Sequence, residues 1–161
     1  QMNWTLPDVI LYPTGGGTGL IGMWKAFHEM RELGWITGPF PRMIAVQSEN
    51  CKPILEVFEG RLDTVKKYVG NPSFANGLAV PTPFAEKMIL NVLRESNGTV
   101  IAITDDELKM AMKEIASLEG LLVCPEGAAL LPAMKSLLNS GIIKRTESVL
   151  MLNTGSAYKY L

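Results

Sequence analysis

The sequence predicts an α/β protein with an open, mostly parallel sheet and helices on both of its faces. Three observations carry that prediction. Short runs rich in Val, Ile and Leu, such as 9–11 and 99–103, do not alternate polar with apolar residues, which is the pattern of strands buried on both faces. Between the runs lie longer segments whose apolar residues recur at helical spacing. Glycine, proline or Asn-Gly punctuates the junctions, so the chain reads as one alternating series.

Residues 8–12 form the first expected strand, closed by Pro13 and the glycines behind it. A helix is expected over 20–33, with Leu20, Met23, Trp24, Phe27, Met30 and Leu33 on one face and Gly34 as its stop. Pro41-Arg42 opens a second strand over 43–46, 53–58 suits a short helix, and a polar loop runs on to about Gly77. Residues 83–96 have helical spacing and stop at Asn97-Gly98, ahead of a β-branched strand over 99–103. Thr104 followed three residues later by Glu107 is a capping box that starts a helix to about Glu119-Gly120. A short strand over 121–123, a helix from Glu126 or Gly127 to Asn139, and a last strand over 148–152 complete the order β-α-β-α-β-α-β-α-β. Such an order implies right-handed crossovers and ligands at the carboxyl ends of the strands. A strand buried on both faces so near residue 1 raises the expectation that the sheet has a part outside this sequence.

Composition narrows the function. With 161 residues, 47% of them hydrophobic and 19% charged, the chain can bury a core without metals or disulfides, and it is not a disordered sequence. Fifteen basic against sixteen acidic residues, with no long block of one sign, leave no electrostatic footprint for nucleic acid or an anionic membrane. No apolar run approaches the ~18–20 residues that span a bilayer. Cys51 and Cys124 lack any CxxC or Cys/His spacing, so no metal site or disulfide framework is expected, and reduced thiols in the cytoplasm are.

The chemistry concentrates in Pro-Thr-Gly-Gly-Gly-Thr-Gly at 13–19, between the first strand and the first helix. Four glycines, Gly15, Gly16, Gly17 and Gly19, bare the backbone N–H groups, and the helix N-terminus adds about half a positive charge. A phosphate monoester dianion suits this loop, with the Thr18 hydroxyl as a further donor. A Walker loop would need Gly-Lys-Ser/Thr at its end, and Gly22 is followed instead by Met23, Trp24 and Lys25. Gly17-Thr-Gly19-Leu-Ile-Gly22 matches GxGxxG, which keeps a dinucleotide site open, with Glu49 as its acidic residue, late in position. A pyridoxal 5'-phosphate cup fits an oligoglycine loop best. Thr154, in the Asn153-Thr154-Gly155 turn that closes the last strand, should emerge at the same sheet edge, where a hydroxyl can meet a ring nitrogen.

Taken together, residues 6–27, Pro41-Arg42-Met43, Cys124-Pro-Glu-Gly-Ala-Ala129 and Asn153-Thr-Gly-Ser-Ala-Tyr-Lys159 resemble the fold-type II pyridoxal phosphate enzymes, and within them the threonine synthases. The resemblance implies a tryptophan-synthase-β-like sheet in which Gly15 to Gly19 hold the cofactor phosphate and Thr154 hydrogen-bonds the pyridine nitrogen. It implies elimination of phosphate from O-phosphohomoserine and addition of water to give threonine. It further implies a small amino acid as the only partner besides a possible second copy in a homodimer.

The family attaches its cofactor to a lysine in a Ser-x-Lys motif well ahead of the glycine loop, and none of the ten lysines here stands in such a motif. The sequence is therefore expected to be one α/β domain, 1–161, forming the C-terminal part of the cofactor-binding large domain without its lysine-bearing part, and to contain no catalytic residue of its own. Residues 73–80 resemble a stretch that faces the family's site, with Ser73 and Asn76 as departures. Glu126 reads as a strand-to-helix turn residue and His28 as a helix-face residue. The alternatives are a serine or threonine dehydratase, a non-catalytic phosphate-binding module and a dinucleotide-binding domain.

Overall fold

A computed structural model describes residues 3–160. Four strands form one parallel sheet: β1 (Val9–Pro13), β2 (Arg42–Ser48), β3 (Thr99–Ile103) and β4 (Val149–Met151), in the order β3-β2-β1-β4. The helices are α1 (Thr18–Glu32), α2 (Pro53–Phe58), α3 (Glu86–Glu95), α4 (Asp105–Glu119), α5 (Pro125–Ala128) and α6 (Leu130–Asn139).

Successive side chains of a strand point to opposite faces, and here each face has its own helical layer. Val9, Leu11, Ile44 and Val46 pack with Leu108 and Ala111 of α4 and Leu130, Ala133 and Leu137 of α6. Ile10, Met43 and Ala45 pack with Leu20, Trp24 and Phe27 of α1, Ile54 of α2 and Ile89 and Leu93 of α3. The central strands β1 and β2 therefore carry apolar residues at consecutive positions because both of their faces are covered, whereas Leu150 and Met151 of the edge strand β4 are exposed. His28 sits edge-on to Trp24 and Phe40, with ring centroids 5.3 and 4.8 Å away, as a helix-face residue.

Three expectations need correction. Residues 121–123 do not join the sheet: Val123 makes an isolated antiparallel bridge to Ser156, and Leu122 and Cys124 exchange backbone hydrogen bonds with Ala157 and Gly155. Three residues, two of them exposed, bury too little on a sheet face to compete with that local pairing. The helix expected from Glu126 or Gly127 to Asn139 is two helices, α5 and α6. Pro132 has no N–H to return to the Ala128 carbonyl, which interrupts the ladder at Ala129. The helix expected over 83–96 begins only at Glu86, after the turn of Pro81 and Pro83.

From β1 the chain moves outward through β2 to β3, then returns to place β4 on the other side of β1. The sheet thus reverses its winding between β1 and β4. In open α/β sheets the crevice beyond the carboxyl ends of two such strands is where ligands bind.

Candidate active site

β1 ends in that crevice, and its last residues set the glycine loop. Thr14 is fully buried; its N–H donates to the Val46 carbonyl at 2.8 Å and its hydroxyl to the Tyr12 carbonyl at 2.9 Å. Gln47, also fully buried, donates its amide N–H to the Thr14 carbonyl at 3.2 Å and accepts the Leu55 N–H at 3.0 Å. One side-chain amide so ties the loop to the start of α2. The sequence reading did not single out Gln47; its signal is an uncharged polar residue at the end of an apolar strand.

The glycines of the loop serve different purposes. A Cβ at Gly15 would collide with the Gly77 carbonyl oxygen, and one at Gly19 with the Tyr12 hydroxyl. Gly17 has φ +79°, and a Cβ there would strike Ile89. At Gly16 a Cβ would meet no protein atom within 4 Å, so its absence keeps open the space beyond the loop rather than a protein contact. Helix α1 starts behind Gly17 with no side chain capping it and no acidic residue in its first turn. Its first N–H groups therefore keep their donors for a ligand, with the positive end of a 15-residue helix behind them.

Gly15, Gly16, Gly17 and Thr18 line a cavity of about 330 Å³ together with Thr154 and Gly155, from the turn after β4. The structure brings these predicted site residues together; Gly19 lies one step behind, packed on Tyr12. Gly77, Cys124, Glu126, Lys159 and Tyr160 complete the lining of the cavity. A larger cleft of about 620 Å³, near Trp4, Phe27 and Leu150, is mainly apolar and lacks converging polar groups. The smaller cavity is the one that gathers the predicted site residues.

Glu126 is 6% exposed and fully engaged: one carboxylate oxygen accepts the Gly77 N–H at 2.8 Å and the other the Tyr160 hydroxyl at 2.7 Å. Burial, with the hydrogen bond to Glu126 behind it, pushes the Tyr160 hydroxyl up to about 12. The Cys124 thiol accepts the Gly127 N–H at 3.3 Å and stands 3.7 Å from the Thr154 hydroxyl. Of residues 73–80 only Gly77 lines the cavity. Ser73 instead donates its hydroxyl to Asp105 at 2.6 Å, away from it. Lys159, Tyr160 and Glu126 all escaped assignment to the site, because what makes them neighbours is folding across more than 30 residues.

Comparisons with known proteins give the family and the fold. The model of the family described as "Pyridoxal-phosphate dependent enzyme" matches residues 1–155. The chain belongs to that family. Within this pyridoxal-phosphate dependent family it is 32% identical over 159 residues to a threonine synthase of Methanocaldococcus jannaschii, and 31% identical to one of Methanosarcina acetivorans. Each alignment covers 99% of this chain and 39% of the relative, so the chain spans about two-fifths of the length of these curated relatives. Among solved structures, threonine synthase from Escherichia coli superposes with a TM-score of 0.72 over 96% of this chain and 34% of that one, at 17% identity. Serine racemase from Dictyostelium discoideum does so with a TM-score of 0.65 over 93% of this chain and 44% of that one, at 20% identity. These likenesses show the fold-type II architecture for this pyridoxal-phosphate dependent enzyme chain. Among the described residues no helix is long and apolar enough to cross a membrane, and no cluster of His, Cys, Asp or Glu could hold a metal ion.

Proposed function

We propose that this chain forms the phosphate and ring-nitrogen side of a threonine-synthase-like enzyme that converts O-phosphohomoserine and water to threonine and phosphate. The observation that carries the reading is that the uncapped start of α1, with its glycine loop, and the Thr154 hydroxyl line one cavity at the reversal of the sheet. The residues present fit pyridoxal 5'-phosphate. Donors without side chains or a cap suit its phosphate, and the open space in front of Gly16 leaves it room.

When bound, the cofactor supplies an electron sink for charge developing on the substrate carbon. The chain's own residues do the rest of the work assigned here. Gly15, Gly16, Gly17, Thr18 and Gly19 bind and orient the phosphate through backbone N–H groups and the Thr18 hydroxyl. Thr154 would hold the ring nitrogen with a neutral hydroxyl, a partner that would leave that nitrogen unprotonated and restrain delocalisation into the ring. Gln47 and Glu126 hold the loop and its neighbouring turn in register, as positioning residues.

In this reading residues 1–161 are a single α/β domain, the C-terminal part of the large cofactor-binding domain, and the lysine that carries the cofactor is supplied from outside them. The 39% coverage of the threonine synthases supports that division. The reading further takes the enzyme to act in the cytoplasm, as a homodimer, on a small amino acid, with neither nucleic acid nor membrane as partner.

The test is Gly16→Asp. A side chain at Gly16 meets no protein atom, so the fold should persist by circular dichroism while pyridoxal phosphate binding falls more than about tenfold. Unchanged affinity in the folded variant would remove the glycine loop from the site. Gly17→Asp is the poorer probe, because its φ of +79° and the contact with Ile89 make it a folding mutation as well.

A further inference from the structure

Among the described residues that line the cavity, two are of acidic or basic type, Glu126 in α5 and Lys159 at the end of the final turn. Glu126 directs its carboxylate at the Gly77 N–H and the Tyr160 hydroxyl. Lys159 takes no part in the ion pairs formed among the described residues. It is also the one lysine of the described residues that lines this cavity. The others are engaged elsewhere or stand apart from it: Lys25 pairs with Glu29, Lys52 with Glu49 and Lys135 with Glu114.

The position of Lys159 is held from both sides. It ends the short turn Ala157–Lys159, whose Ala157 is 5% exposed and donates its N–H to the Leu122 carbonyl at 2.9 Å. The next residue, Tyr160, is tied to Glu126 by its hydroxyl at 2.7 Å. A lysine between two such anchors keeps its backbone at the cavity rim even though its side chain is exposed. A dianion in the glycine cup would have backbone donors and half a helix charge behind it and a buried carboxylate in the lining of the same cavity. A full positive charge is what that arrangement lacks without Lys159.

We infer that Lys159 is the counter-cation of the cavity, recognising the phosphate dianion of a ligand seated against the glycine loop, with the Tyr160–Glu126 contact as the clasp that holds it there. This rests on the reading that the loop is a phosphate cup, and it assigns the cup its charged member. The interaction is ionic, and Lys159 forms no covalent bond to the ligand.

The probes are pyridoxine 5'-phosphate and pyridoxine, which carry no aldehyde and differ only in the phosphate, titrated into the full chain by ring fluorescence. Wild type should prefer the phosphorylated probe. Lys159→Met should weaken pyridoxine 5'-phosphate about tenfold and pyridoxine less than about twofold, Lys159→Arg should restore most of the loss, and added salt should weaken wild type more than Lys159→Met. Tyr160→Phe, which keeps Lys159 but frees the clasp, should weaken only the phosphorylated probe, by about threefold. Equal effects of Lys159→Met on both probes, or none on either, would overturn the assignment while leaving the cup intact. A wild-type chain that shows no preference for the phosphorylated probe would overturn the cup itself, and this inference with it.

Discussion

Tyr160 and Glu126 meet at 2.7 Å in the wall of the cavity, and the same carboxylate reaches the Gly77 N–H at 2.8 Å. Because the Gly77 carbonyl fills the place a Gly15 side chain would take, this carboxylate links the end of the described chain to the glycine loop through a single intermediary. Burial raises the Tyr160 hydroxyl from 10.0 to about 12. A raised folded value means that the fold favours the protonated phenol. The stabilisation is complete below the unfolded value of 10.0 and is lost as pH rises through about 12. Wild type should therefore lose thermal stability between pH 10 and 12 more steeply than Tyr160→Phe, as read by calorimetry across that window. Parallel curves would show that the contact is not coupled to folding.

Gln47 is the other hinge of the loop. Gln47→Leu strands the buried Thr14 carbonyl and Leu55 N–H together, and unfolding in urea should show a loss of about 2–4 kcal/mol. Gln47→Glu keeps an acceptor for Leu55 but loses the donor to Thr14, and should lower affinity for pyridoxal phosphate as well as stability.

At the other end of the β1/β4 pair, Asp8 accepts the Ser148 N–H at 2.8 Å and the Ser148 hydroxyl at 2.7 Å. Those hydrogen bonds, side chain first, hold the Asp8 carboxyl below its ordinary 3.8. A depressed folded value gives stability that is present above 3.8 and lost as pH falls below it. Asp8→Asn should flatten the acid limb of the stability curve below about pH 4, measured by thermal melts in steps of pH. An unchanged limb would remove Asp8 from the acid response.

The chain by itself should turn over no amino acid. Mixed with pyridoxal phosphate, reduced with borohydride and digested, it should carry no stoichiometric label on one lysine, and it should form no threonine from O-phosphohomoserine. Stoichiometric labelling of a single lysine, with Lys159 the first to inspect because it lines the cavity, would reveal a catalytic lysine inside these residues.

Local chemistry made much of this readable. The Thr104–Glu107 capping box forms with both of its reciprocal bonds, and β3 spans the residues its β-branched run marks out. The glycine loop and Thr154 could be assigned to one sheet edge because parallel strands share a direction. What escaped depends on contacts between distant segments. Residues 121–123 have the composition of a strand but bridge to Ser156, and Ser73 resembles a site residue but binds Asp105. Gln47 and Tyr160 carry no motif, and Glu126, inside the Cys124–Ala129 stretch, reads as a turn residue; their hydrogen-bonding roles exist only where distant segments converge.

The pairing of β1 with β4 joins Asp8 to Ser148 across 140 positions of chain, and it alone brings the glycine loop and Thr154 to a common edge. Every other strand pair closes earlier in sequence. Forming this last parallel ladder carries the largest loop-closure cost and is the slow event expected in folding. Capture of a phosphate ligand can then serve as a clock for maturation: in a refolding time course, helical signal should return first, and ligand fluorescence should lag it by the lifetime of a three-stranded intermediate.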